Sequence, residues 1–480
     1  MENKKALIIG AGIAGLCMGI YLRKKGYETT ILEMHTISGG LATAWKKKGY
    51  TFENCIHWLV GSKVGEQMNL MWKEVFDINQ LKFYEDEIFQ VIEKNDERLI
   101  IYRNADKLEA ELLAKAPEDA TAIKEFTGLV RLFSTFKFPD SDAFFSRMLY
   151  YVKIVKYLPA MNKYSKLTMA DYAQRFKNPL LKHFFDSGIG ELSLLAIVFS
   201  LAWMHNCDAG YPIGGSLKMI GLIEETYKKL GGEIKFRAKV KQIQVENNRA
   251  VGVVLENGEQ IKADVVISAA DGYATIYKML EGKFVDNKIN KIYETYKPFP
   301  SYVQVSFGVN DSFKDEPGFI NILLDHEIEI DPETRMNNLS FRIFNYDPTF
   351  APPGKTAIVC FIPTYNYEYW ITLRENDNSL YADQKNKIAQ EVIAIFEKRF
   401  PFAHDKIEVL DVATPATVFR YTGNWKASME GWLLTPATGF GQLPATLPNL
   451  KNFYMVGQWI SPGGGLPSGL LTARNVSKII

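Results

Sequence analysis

At 480 residues the chain has the length of two or three domains, taking about 150 residues for each. Hydrophobic residues make up 47% and charged residues 23%, the balance of a folded soluble protein, and a net charge of +1 gives no electrostatic reason for a nucleic-acid partner. Four separated cysteines (Cys17, Cys55, Cys207 and Cys360) with no CxxC pair argue for reduced thiols in a cytoplasmic protein, against a disulfide scaffold or a zinc site.

The opening MENKKALIIGAG runs from two lysines straight into a glycine turn, unlike a signal peptide. Lys5 to Ile9 predicts a strand, Ile13 to Lys25 a helix stopped by Gly26, and Tyr27 to Leu32 a second strand ending in Glu33. Residues 76–207 read as mainly helical and rich in aromatic and basic side chains, Phe144 to Tyr164 most clearly. Leu192 to Met204 is the most apolar run, too short for a bilayer span of about 20 residues, and reads as a buried or interfacial helix. From Asp208 come a turn, an amphipathic helix, a strand, a hairpin with an Asn-Gly turn and a buried strand. Residues 291–410 read as strands, Ser301–Asn310 and Thr356–Thr364 among them, closed by a helix from about Leu380 to Arg399. The chain then returns to turn, strand and helix, ending on NFYMVGQWISPGGGLPSGLLTAR.

Gly10, Gly12 and Gly15 have GxGxxG spacing between strand and helix, with Ile13 and Ala14 in the helix's first turn. That context makes a dinucleotide site, with phosphates at the helix N-terminus and Glu33 accepting from a ribose diol that bears no 2′-phosphate. A second glycine pair, Gly39 and Gly40, followed by Leu41 and Ala42, lets the chain run beside an extended FAD, which NAD would not need.

Taken together, GAGIAGL, Glu33, GGLATAW, YPIGGSL, ADVVISAAD, TPATVFRYTGN and VGQWISPGGGLPSG resemble the flavin-dependent phytoene desaturase family. That family includes carotenoid desaturases, carotenoid cis–trans isomerases and retinol saturases. The resemblance implies an α/β fold: a Rossmann-type FAD-binding domain from residues 1–75, 208–290 and 411–480, with an inserted α+β substrate domain from 76–207 and 291–410. It implies that one long cofactor is held at both ends of the chain. Val456, Gly457, Gln458, Gly464, Gly465, Leu466 and Pro467 would lie along the flavin, Val240 at the adenine, and Ala269 among the cofactor contacts. His57 and Trp58 would face the flavin. Two positions depart from the pattern: Leu41 stands where many relatives carry Arg, and Asn54 and Cys55 stand where small residues are common.

A flavin performs hydride exchange itself, which agrees with the lack of a GxSxG or HExxH set. His57 is the single catalytic candidate. Glu191 and Asp271 read as acid–base groups or, more simply, as a solvated turn and a cap. With no second GxGxxG, electrons would pass to or from NAD(P)H, a quinone or oxygen. Between about 131 and 205, Phe133, Phe136, Phe138, Phe144, Phe145, Tyr150, Tyr151 and Tyr157 lie among Arg131, Lys137, Arg147, Lys153, Lys156 and Lys163. That mixture suits a tunnel for an apolar substrate with peripheral contact on the inner face of a membrane, and equally a helical core with a solvated basic face. The expected function is desaturation, saturation or isomerisation of carbon–carbon double bonds in an apolar polyene or isoprenoid. The alternatives are a flavin amine oxidase, against which Leu41 and Gln458 speak, and a non-catalytic lipid-binding escort protein.

Overall fold

The computed structural model describes residues 4–137, 154–186 and 188–480. Ala6 to Ile9 are all buried, so the strand Lys5–Ile9 is covered on both faces, as parallel sheets require. It is the centre of a five-stranded sheet in the order Glu233–Lys235, Glu28–Leu32, Lys5–Ile9, Val265–Ser268, Phe453–Met455, and every neighbouring pair is parallel. The chain first builds outward on one side of Lys5–Ile9 and later returns to the other. That reversal opens a crevice at the carboxyl ends of the central strands, where ligands of such sheets bind. The helix Ile13–Lys24 makes the first crossover and stops at Lys25, with Gly26 in the left-handed region at φ +85°.

Behind this sheet lies a three-stranded antiparallel one, Val240–Glu246, Arg249–Leu255 and Gln260–Lys262. The expected Asn257-Gly258 turn joins its second and third strands, while Asn247 and Asn248, both at positive φ, make the first hairpin.

The second large layer is a seven-stranded sheet in the order 407–413, 301–309, 356–364, 334–343, 319–331, 88–94, 97–102. One face is apolar: Val303, Val305, Phe307 and Phe341 pack under Ile388, Val392 and Phe396 of the helix Asn378–Arg399. The other face carries Gln304, Ser306, Ser340 and Arg342, since strand side chains alternate and Ser306 and Arg342 both pair with Val359. Two strands of this sheet, Ile88–Lys94 and Glu97–Tyr102, come from within 76–207, a region that is otherwise mainly helical as expected. They pair as a hairpin through the turn at Asn95, φ +53°, and only the second strand alternates, with Leu99 and Ile101 buried.

Apart from the short strand Phe83–Tyr84, the regular elements in the rest of that region are helices, and Leu194–His205 is buried as expected. Phe133, Phe136, Tyr157 and Phe199 stack on one another inside it. Arg131 pairs with Asp106 and Glu109, Lys137 with Glu66, and Lys163 with Glu125. Phe138, Phe144, Phe145, Arg147, Tyr150, Tyr151 and Lys153, which carried much of the membrane-contact reading, lie outside the described residues. Among the described residues no helix is long and apolar enough to cross a membrane.

Candidate active site

Gly10 leaves the central strand at φ +97°, and the helix after it starts at Gly12 with no side-chain cap. Its first amides are therefore left to an outside acceptor. Gly15 serves the same turn from behind. A Cβ there would stand 2.0 Å from the Gly10 carbonyl oxygen, so the helix can close on the strand only with glycine. The Glu33 carboxylate is buried; its Oε2 accepts the Ala11 N–H at 2.7 Å and its Oε1 the His35 N–H at 2.8 Å. It holds the glycine turn in place as well as facing the crevice.

The end of the chain repeats this construction. Past the strand Phe453–Met455, the Gly457 N–H donates to Thr472 Oγ1 at 2.8 Å, and the chain turns through Gly464 at φ +56° and Gly465 at φ +77°. The helix Gly465–Ser477 then starts, also without a side-chain cap. The two helices meet: a Cβ on Gly469 would lie 2.6 Å from Ile13 Cγ2. Two uncapped N-termini therefore converge on one cleft of about 560 Å³.

Gly10, Gly12, Ile13, Ala14 and Glu33 border this cleft at one end, and Gly39, Gly40, Leu41 and Ala42 along its side. Val240, Ala269, Val456, Gly457, Gln458, Gly465 and Leu466 complete the expected set. Gly15, His57, Trp58, Gly464 and Pro467 do not border it. Gly15 is packed behind the turn and Pro467 sits inside the closing helix. His57 and Trp58 belong to the wall segment that follows Cys55, off the cleft, and Trp58 meets Phe89 edge-on at 5.8 Å between ring centres. Burial, with the nearby Arg342 charge, holds the His57 imidazole well below its usual range, so it is neutral at physiological pH.

That wall is built from Glu53 outward. Its buried carboxylate accepts the N–H groups of Asn54, Cys55 and Ile56 at 3.1, 3.0 and 3.2 Å, and at its other oxygen the Ser216 N–H at 2.9 Å. It thereby fastens the 54–56 turn to the start of the helix Gly215–Lys229. Tyr302 OH donates to Asn54 Oδ1 and Gln304 Nε2 to the Glu53 carbonyl at 3.1 Å, joining the same turn to the polar face of the seven-stranded sheet. Leu41 packs with the Tyr302 cluster. Arg420, also bordering the cleft, is the guanidinium present there.

Cys55 and Glu430 both border the cleft, near enough for the Glu430 charge to act on the Cys55 thiol. Glu430 stands against Gly464, where a Cβ would lie 2.7 Å from Glu430 Oε2. Burial alone pushes its carboxyl up to about 8. Asn424 locks the surroundings: its Oδ1 accepts from Trp459 Nε1 at 3.0 Å and Gln458 Nε2 at 3.3 Å, and its Nδ2 donates to the Ser428 and Glu430 carbonyls. The sequence reading missed Glu430; its one signal is an acid set among small and apolar neighbours in ASMEGWLL. Asp271 borders the cleft but is a cap, accepting the Ala274 N–H at 2.7 Å and the Trp425 N–H at 2.8 Å, while burial pushes its carboxyl up to about 6. Glu191 pairs with Lys297 at 2.5 Å on the surface.

The cleft has what a long dinucleotide needs: two glycine turns no side chain could replace, two uncapped helix N-termini, and a carboxylate at the end of the second strand. Residues 13–480 match the family described as flavin containing amine oxidoreductase. The chain belongs to that family. FAD is its cofactor, and the protein is an FAD-dependent oxidoreductase. A chloroplastic prolycopene isomerase of Daucus carota is similar over the whole chain, 25% identical over 98% of this sequence and 80% of its own. A 1-hydroxycarotenoid 3,4-desaturase of Flavobacterium sp. is 23% identical over 99% of each chain. Among solved structures, an oxidoreductase from Methanosarcina mazei shares the fold at TM-score 0.64 and 18% identity, over 99% of this flavoprotein and 100% of that chain.

Proposed function

We propose that this flavoprotein desaturates, saturates or isomerises carbon–carbon double bonds of an apolar polyene or isoprenoid. The supporting observation is the wall at Asn54–Trp58. Its Cys55 borders the cofactor cleft, Tyr302 and Gln304 bond its start to the polar face of the seven-stranded sheet, and its Trp58 begins a series of rings with Phe89 and Phe319. The isomerase and desaturase to which the chain is similar over nearly its full length are named for carotenoid polyenes, and that supports the same substrate class here.

Bound FAD supplies hydride and electron exchange. Gly12 and the start of Ile13–Lys24 would hold its phosphates, and Glu33 its ribose. The N-terminus of Gly465–Ser477 would favour negative charge at the ring end, by up to about 2 kcal/mol in a partly buried site. Adding or removing hydrogen across a double bond also requires a proton. The Glu430 carboxyl keeps one up to about pH 8 and can give or take it at Oε2 beside Gly464. Cys55 is held as a neutral thiol chiefly by burial, which leaves Glu430 as the exchanging group. By the same reading, residues 1–75, 208–290 and 411–480 form the cofactor domain, and 76–207 with 291–410 the substrate domain.

The test is product analysis under anaerobic conditions. Oxidised or chemically reduced holoenzyme is incubated with a poly-cis carotene, its all-trans isomer and retinol. The reading expects a changed chromophore from at least one, with a mass shift of two hydrogens or none. Unchanged pigments in both redox states, from protein that holds FAD, would refute it.

A further inference from the structure

Arg342 sits on the face of the seven-stranded sheet that meets the Asn54–Trp58 wall, deep in the molecule yet only partly covered by its neighbours. Its guanidinium lies over the Phe319 ring at 4.0 Å. A ring covers one side of the plane and accepts none of the five N–H groups in its fork. Among the described residues no carboxylate forms an ion pair with it. The titratable groups that interact with it are Tyr346, Arg103, Tyr211 and His57: two hydroxyls, a second cation and a neutral imidazole. Arg103 already has a weak partner, Glu85 at 3.4 Å, and its Nε is buried without one. Asp86 acts on Tyr346 and Tyr84 rather than on Arg342, and Asp347 is engaged by the Tyr211 hydroxyl and the Gly214 N–H at 3.1 and 2.8 Å. Burial pulls the Arg342 pKa down to about 10, so it remains charged throughout the physiological range.

A charge this deep is normally paired, because removing one from water without a counter-ion is costly. Glu85 is held by Arg103 and Asp347 by Tyr211 and Gly214, and neither they nor Asp86 forms an ion pair with Arg342. Arg342 is two strands away from Ser306, about 10 Å across the sheet, and Gln304 beside Ser306 touches Glu53 of the wall. The rings Trp58, Phe89 and Phe319 form an edge-on series that ends at the Arg342 guanidinium.

We infer that the substrate is an apolar chain carrying an anionic end, a carboxylate or a phosphate, which Arg342 binds through its planar fork. This rests on the polyene reading above and narrows it: the relatives' carotenoids are named without such a group, and the anion would fix which double bond reaches the flavin.

Equilibrium binding tests it on FAD-loaded protein, read by tryptophan quenching and by the visible flavin band. The probes are retinoic acid, its methyl ester, retinyl phosphate, and a carotene hydrocarbon. Wild type is expected to bind the acid or the phosphate at least tenfold more tightly than the ester. Arg342→Gln should abolish that preference while keeping ester affinity and FAD content, and Arg342→Lys, with charge but no fork, should keep part of it. Equal binding of acid, phosphate and ester by wild type overturns the proposal without any variant. So does an unchanged preference in Arg342→Gln. If the carotene binds and neither anion does, the anion site falls and the polyene reading stands; if none of the four binds, both fall.

Discussion

Glu430 is a single carboxyl whose surroundings decide its chemistry. Its folded pKa is raised, so the folded protein holds a proton that the unfolded chain has released. The stability this group contributes is full below about pH 4.3 and lost as pH rises through about 8. Glu430→Gln should therefore gain on wild type with rising pH, by on the order of 1–2 kcal/mol at pH 9 once the hydrated cleft is allowed for. Thermal melts of the FAD-free protein from pH 5 to 9 check this, and parallel curves would contradict it. In the holoenzyme the same substitution should lower turnover by about 100-fold, in the range of general acid–base catalysis, and flatten the pH profile near 8. Glu33 acts differently, because it accepts from the Ala11 N–H at 2.7 Å and faces the cofactor. Glu33→Ala strands a buried donor, at a cost of about 1–3 kcal/mol, and should release FAD during gel filtration while wild type stays yellow.

The glycine turns belong to the scale of the element. Gly15→Ala would place a methyl group 2.0 Å from the Gly10 oxygen, and Gly469→Ala one 2.6 Å from Ile13 Cγ2. Backbone cannot yield as a flexible side chain can. Gly15→Ala should cost about 3 kcal/mol or more and lose FAD, whereas Gly469→Ala should cost less. Denaturant titrations with FAD content measured on the same samples compare them, and equal costs would contradict the distinction. These turns were legible in the sequence because a strand, a glycine spacing and a helix start form a local signal, as do Gly26 as a stop and Glu33 at a strand end. The hairpin 88–102 was missed since its partner strand, 319–331, is more than 200 residues away. Arg342 and Glu430 gave little warning for the same reason. What makes them unusual is the lack of a counter-charge, and that depends on residues distant in sequence.

At the scale of the molecule, one cleft draws on both ends of the chain, and a second sheet turns its polar face toward the cleft's wall. The amine oxidase alternative shares the cleft, so fold alone does not separate it from polyene chemistry. The series of rings Trp58, Phe89 and Phe319, ending at Arg342, suits a long apolar chain better than a small amine. The most direct measurement mixes oxidised or reduced holoenzyme anaerobically with a conjugated polyene, and separately with putrescine, following the flavin and polyene bands together. The account predicts a shift in the polyene band, with or without a change of flavin redox state, and no flavin bleaching by the amine. Bleaching by putrescine with the polyene spectrum untouched would contradict it.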